Sequence, residues 1–149
     1  MKAKRFFFYG TLIAGSGNAV AERVHARLTP LGPAAIRGRL FAIPDPDGWY
    51  PALVPGSKIV RGVLYEALPS FGDRELFLLD RFEGFDPANR ARSLYQRRSL
   101  TIDNAMDDKS VAQAYVYASR LPAGARPVHS GDFAGWIKRS GGRLFTPRG

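Results

Sequence analysis

Phe6-Phe7-Phe8-Tyr9-Gly10-Thr11-Leu12 is the stretch on which the reading of the chain turns. Arg5–Tyr9 reads as a short, buried aromatic strand that stops at Gly10. A glycine there lets the backbone turn sharply. The N–H groups of Gly10, Thr11 and Leu12 can then face one concavity, which suits a carboxylate or a developing oxyanion. The Thr11 hydroxyl adds a donor. An ordinary strand end with a glycine turn carries the same residues, so this stretch alone names no chemistry. Lys2, Lys4 and Arg5 before it and Ala19-Val20-Ala21 after it resemble a secretory signal, but Tyr9, Gly10 and Thr11 interrupt the apolar run and favour the strand.

Outward from that strand the chain reads as mixed α and β. Ala19–Leu28 has helical character, with Asn18 placed to cap it. Ile36–Ile43 and Lys58–Leu68 read as strands on either side of the turn Pro44-Asp45-Pro46-Asp47-Gly48. They share Gly38-Arg39-Leu40-Phe41 and Gly62-Val63-Leu64-Tyr65, as neighbouring strands with small residues at matching places would. Asp73–Phe82 is the clearest helix. Leu76, Leu79 and Phe82 form its apolar stripe, Ser70 and Asp73 resemble a capping pair, and Gly84 stops it. Tyr95–Ile102 and Val111–Ala118 read as strands around a polar loop at Asp103–Ser110. Ser130–Lys138 reads as a short helix, and a tail runs from about 140 to 149. No shift in composition divides the 149 residues, so one domain over 1–149 is expected.

Composition excludes several kinds of chemistry. The chain has no cysteine and only two histidines, His25 and His129. Disulfide scaffolds, cysteine zinc sites, iron–sulfur clusters, thiol nucleophiles and histidine-rich metal sites are therefore out. There is no G-x-S-x-G elbow, no phosphate loop and no H-E-x-x-H; Gly15-Ser16-Gly17 opens like a dinucleotide fingerprint, but Val20 stands where its third glycine belongs. The net charge of +9 invites a polyanion partner. It is spread, however: +6 over residues 1–40, −3 over 41–80, +3 over 81–100, −1 over 101–125 and +4 over 126–149. No basic arm exists, and aromatics are not interleaved with a dense basic stretch, so nucleic-acid binding ranks last. No apolar run approaches the ~18 residues of a membrane span.

A second stretch, Leu79-Asp80-Arg81-Phe82-Glu83-Gly84, puts Glu83 at the C-terminal end of the clearest helix. Unpaired carbonyls and the negative helix pole gather there, which raises a carboxyl pKa and suits a general base. An exposed Glu at a frayed end is the commoner case.

Taken together, the motifs resemble the gamma-glutamylcyclotransferase superfamily, which includes the avirulence-induced-gene-like proteins. The resemblance runs through Tyr9-Gly10-Thr11-Leu12, Gly38 to Phe41, Tyr50-Pro51-Ala52-Leu53, Val60 to Glu66, Leu79 to Gly84, Tyr95-Gln96-Arg97, Ala114 to Tyr117 and Ser130-Gly131-Asp132-Phe133, in that order. It implies an α+β fold, a small mixed β-barrel or sheet with a few flanking helices. It implies cyclisation of a γ-glutamyl amine, amide or peptide to 5-oxoproline with release of the amine. Glu83 is then the catalytic acid/base, and the loop Tyr9, Gly10, Thr11 and Leu12 holds the glutamyl group. Tyr50, Tyr95 and Tyr115 are candidate substrate-binding residues, with Tyr117 a weaker one; strand tyrosines also commonly pack half-buried. The substrate's own amine is the nucleophile, so no metal or organic cofactor is expected. The expected partner is a small γ-glutamyl molecule, with no nucleic acid and no membrane, in the cytoplasm.

The chain departs most from the family pattern at Ala88–Ser93, a basic insertion where the leaving-group pocket can differ. Arg97 reads either as a partner for a substrate carboxylate or as a surface arginine. Asp132 reads as a helix cap, Trp49 and Trp136 as packing residues, and His25 as solvent-facing; His129 shows no partner. A non-catalytic binding or adaptor module using the same pocket is the alternative function.

Overall fold

The computed structural model describes residues 4–10, 19–46, 48–103 and 111–142. They form a curled half-barrel of six strands with three helices. The strands are β1 (Arg5–Phe8), β2 (Leu28–Asp45), β3 (Gly48–Ala67), β4 (Tyr95–Thr101), β5 (Val111–Tyr117) and β6 (Arg126–Pro127). The helices are α1 (Ala19–His25), α2 (Asp73–Phe82) and α3 (Phe133–Ser140). The sheet order is β4-β5-β1-β3-β2-β6; β1 runs parallel to β5, and the other pairings are antiparallel.

An unbroken apolar run suits a strand covered on both faces, and β1 is such a strand. Phe6, Phe7 and Phe8 are at most 2% exposed. Phe6 and Phe8 pack with Val24, Tyr65, Leu79 and Phe85, on the side of α1 and α2. Phe7 and Tyr9 pack on the other side with Ile36, Val60, Ala114 and Phe133 of α3. One central strand thus joins both halves of the core.

The long hairpin β2–β3 closes with Asp45 opposite Gly48. Both strands exceed the expected Ile36–Ile43 and Lys58–Leu68. The ladder continues past Pro30, Pro33, Pro44 and Pro51, with register shifts between Pro30 and Gly32 and between Gly38 and Arg39. The two Gly-x-Leu-aromatic segments lie on neighbouring strands but not opposite each other. Gly38 faces Lys58 and Gly62 faces Ala34, because the pairing is antiparallel.

Helix α2 has the expected bounds. Its cap differs: Glu75, not Asp73, reaches back, and its carboxylate accepts the Gly72 N–H at 2.8 Å. Helix α1 is shorter than expected, since Leu28 already belongs to β2; Asn18 lies outside the described residues. Helix α3 starts at Phe133 rather than Ser130, and Asp132 caps it by accepting the Gly135 N–H at 3.2 Å. Of the loop Asp103–Ser110 only Asp103 is described. Trp49 and Trp136 pack edge-to-face at 5.0 Å. His25 is not solvent-facing as expected. It is half-buried, with its ring 4.6 Å from Tyr65 and 5.7 Å from Phe8, because α1 lies against the sheet.

Candidate active site

A cavity of about 260 Å³ opens where the end of β1 meets the end of α2. Its walls are Phe7 to Gly10, Asp45 at the end of β2, Tyr50 and Pro51 of β3, Arg81 to Gly84, Leu94 and Tyr95 at the start of β4, and Tyr115 of β5.

Glu83 is placed by a helix terminus with every part in position. Its N–H bonds the Leu79 carbonyl at 3.1 Å. Beyond it Gly84 takes φ +69°, its N–H bonds the Arg81 carbonyl at 3.1 Å, and the Phe85 N–H bonds the Asp80 carbonyl at 2.8 Å. This 5→2 and 6→1 pair is a Schellman motif, and it requires a residue that tolerates left-handed backbone at Gly84. The Gly84 carbonyl then accepts the Leu94 N–H at 3.1 Å, tying the turn to β4. Glu83 is therefore not at a frayed end. Among the described residues its carboxyl forms no hydrogen bond or ion pair. Burial pushes its pKa from 4.5 up to about 8. The sequence had assigned such a rise to the helix pole; the structure assigns it to desolvation.

The strand end is as tightly built. A Cβ on Gly10 would stand 2.2 Å from Pro51 Cγ, so only glycine fits. The Pro51 carbonyl accepts the Tyr95 hydroxyl at 2.5 Å. Tyr9 donates its hydroxyl to the Tyr115 carbonyl at 2.5 Å and is hydrogen-bonded to the Leu53 backbone. Its ring packs in the core with Phe7, 6.2 Å between centroids. The Tyr9 hydroxyl proton is thus committed to the protein. Thr11 and Leu12 lie outside the described residues.

The structure brings Tyr9, Gly10, Tyr50, Glu83, Tyr95 and Tyr115 to one cavity. Tyr117 lies outside it, on a neighbouring groove with Leu53 and Gln96, and packs edge-to-face on Tyr95 at 5.3 Å. Desolvation raises the phenol pKa of Tyr9, Tyr50, Tyr95 and Tyr115. The charge of Glu83 adds to it at Tyr9, Tyr95 and Tyr115.

Arg97 is neither a free pocket cation nor a surface arginine. Its Nε donates to Asp80 Oδ1 at 3.0 Å, its Nη2 to Asp80 Oδ2 at 3.4 Å, and its Nη1 to Gln113. Asp80, 5% exposed, also accepts the Tyr115 hydroxyl at 2.6 Å. Asp80 was not singled out in the sequence. The available signal was its place one residue after Leu79 of the apolar stripe, where a buried acid needs a partner. Arg81, at the cavity rim with its guanidinium 5.8 Å from the Phe77 ring, was also passed over. Within the basic insertion, Arg90–Arg92 form an exposed 3₁₀ turn outside the cavity wall.

Among the described residues no cluster of His, Asp or Glu is arranged to hold a metal, and no helix is long and apolar enough to cross a membrane. No curated protein matches the chain. Solved structures do. The uncharacterised protein PH0828 from Pyrococcus horikoshii superposes with a TM-score of 0.63 at 15% identity, over 93% of this chain and 97% of that one. Protein YtfP from Escherichia coli gives 0.59 at 26% identity, over 91% and 98%. A gamma-glutamyl cyclotransferase gives 0.57 at 14% identity, over 85% and 72%. The family "Gamma-glutamyl cyclotransferase, AIG2-like" matches residues 6–135. Sheet topology, the turn at Gly84 and the ordered motifs thus meet in one assignment: the chain belongs to the AIG2-like gamma-glutamyl cyclotransferase family.

Proposed function

We propose that this protein is a γ-glutamyl cyclotransferase that converts a γ-glutamyl amine, amide or peptide to 5-oxoproline and releases the amine. The supporting observation is Glu83, a carboxyl in the wall of the cavity, whose pKa burial raises to about 8. A general base works best near the operating pH, and this value is close to the range in which α-amines exchange protons.

The substrate's α-amine nitrogen attacks its own γ-carbonyl carbon. A C–N bond forms, the carbonyl oxygen takes the electron pair, and Glu83 takes the proton that the nitrogen sheds. Collapse of the oxyanion breaks the bond to the leaving nitrogen, which receives that proton from Glu83. Ring closure of this kind gains up to ~7–11 kcal/mol from orientation, so a cavity that folds the glutamyl chain supplies much of the catalysis. The strand end at Tyr9 and Gly10, continued by Thr11 and Leu12, is the proposed holder of the glutamyl carboxylate or the oxyanion. Tyr50, Tyr95 and Tyr115 complete the proposed binding surface. No metal or organic cofactor enters the step.

The test is a panel of γ-glutamyl amines, amides and peptides assayed for 5-oxoproline, with Glu83→Gln alongside. Turnover by the native protein that the variant loses is the expected result. Equal background rates from both remove the enzyme reading. Ligand-induced stabilisation without turnover then points to a binding module.

A further inference from the structure

The hydroxyl protons of three tyrosines in the cavity wall are already committed to the protein. Tyr95 donates to the Pro51 carbonyl, Tyr115 to the Asp80 carboxylate and Tyr9 to the Tyr115 carbonyl. A phenol has one donor and two lone pairs. Tyr9 uses its oxygen as well, toward the Leu53 backbone. Tyr95 and Tyr115 therefore offer the cavity acceptor capacity only, and they share its wall with the carboxyl of Glu83.

The polarity of Tyr115 is fixed from outside the cavity. Asp80 is an acceptor-only group held by Arg97 through both carboxylate oxygens, and Gln113 braces the guanidinium. The phenol has one way to satisfy that carboxylate, which is to give it the proton. Arg97, Asp80 and Tyr115 thus form a relay of fixed direction from a half-buried arginine to the cavity wall.

We propose that the Tyr95 and Tyr115 phenol oxygens, beside Glu83, form a subsite of fixed acceptors that recognises the substrate's amino group, and that Asp80 and Arg97 are positioning residues that hold Tyr115 as an acceptor. This rests on the cyclotransferase reading and extends it by assigning the amine end of the glutamyl group to the α2–β4–β5 wall. The carboxylate end then lies toward Gly10. The subsite accepts N–H donors and discriminates against a ligand that lacks the α-amine.

The probes are γ-glutamyl-benzylamide and glutaryl-benzylamide, identical except for the α-amine. Binding of both is measured directly by calorimetry, and turnover of the first is followed in parallel. The native protein is expected to prefer the amino ligand by tenfold or more, as a hydrogen bond to a charged donor allows. Tyr115→Phe is expected to lose most of that preference while binding the glutaryl ligand within about twofold. Asp80→Asn goes further. Its amide oxygen serves Arg97 and its NH₂ turns toward Tyr115, which frees the phenol proton to face the cavity and repel an ammonium. If Asp80→Asn does not fold, Tyr115→Phe and Tyr95→Phe carry the test. Equal losses for both ligands, or no loss of preference, overturn the proposal. Turnover without amine discrimination leaves the cyclotransferase reading standing and removes the subsite. Amine discrimination without turnover does the reverse.

Discussion

Asp80 and Tyr115 are 2.6 Å apart, a helix residue and a strand residue joined by one hydrogen bond at the back wall of the cavity. Asp80 lies three positions before Glu83 on the same helix. The bond therefore fixes the end of α2 that carries the proposed base against the strand that carries part of the proposed binding surface.

Removing the far partner of that bond should be costly. In Arg97→Ala the nearly buried Asp80 carboxylate keeps the Tyr115 hydroxyl but loses the opposite charge. Leaving a buried charge uncompensated costs about 3–5 kcal/mol. Tyr115→Phe removes one neutral donor and leaves the ion pair intact, at about 1–2 kcal/mol. Urea unfolding at pH 7 measures both. Equal small losses would mean that the pair carries no structural weight.

The acid limb of activity follows from Glu83. At pH 6 a carboxyl with a pKa of about 8 is almost wholly protonated and cannot take the amine proton. The kcat/KM of the free enzyme should therefore climb with pH and level off above about 8. Glu83→Gln should fall by about 10²- to 10⁴-fold, the usual contribution of a proton-transfer group. A profile flat from pH 6 to 9 would contradict the assignment.

The same group makes stability depend on pH in the opposite sense. Its folded pKa of about 8 is above the unfolded value of 4.5, so between these values the folded chain binds the extra proton. The contribution is fully present below about 4.5 and is lost as pH rises to about 8. Relative to Glu83→Gln, which has no such proton, the native protein should weaken across that window by on the order of a few kcal/mol. Thermal unfolding of both proteins at matched pH reads the difference, and parallel curves would show that Glu83 titrates normally.

What the sequence disclosed depended on how local the signal was. Leu76, Leu79 and Phe82 recur at helical spacing, and Gly84 follows them, so α2 and the place of Glu83 could be read from neighbours alone. The strands β2 and β3 could not be bounded, since the ladder runs on past Pro33, Pro44 and Pro51 in continuous register and past Pro30 at a register shift. The hydroxyl partners of Tyr9 and Tyr95 were invisible, because they are backbone carbonyls of Tyr115 and Pro51, brought close by register and sheet curl over 106 and 44 residues of chain. Arg97 failed for the same reason: its partner Asp80 is on another element, and a basic strand sequence does not show which arginine turns inward.

Gly10 tests the packing of the strand end. A methyl there would stand 2.2 Å from Pro51 Cγ, and Pro51 is held in turn by the Tyr95 hydroxyl. Gly10→Ala should cost about 1–3 kcal/mol, as overpacking does. It should also lower kcat/KM, because relief requires Pro51 to move and Tyr95 is fastened to it. Unchanged stability and kinetics would mean that the strand end is loosely held.

Gly84 separates position from stability. Its φ of +69° is left-handed, yet a Cβ would meet nothing nearer than Leu94 Cβ at 3.6 Å. The cost of Gly84→Ala is therefore conformational, about 1 kcal/mol, without a clash. The easiest relief is to unwind the Schellman turn, which frees the Phe85 N–H from the Asp80 carbonyl and lets Glu83 leave its place in the wall. Turnover should fall at least tenfold while the midpoint of urea unfolding moves only slightly, because proton transfer is sensitive to ångström-scale displacement. A variant with a comparable stability loss and full activity would show that Glu83 is held by the cavity rather than by the turn.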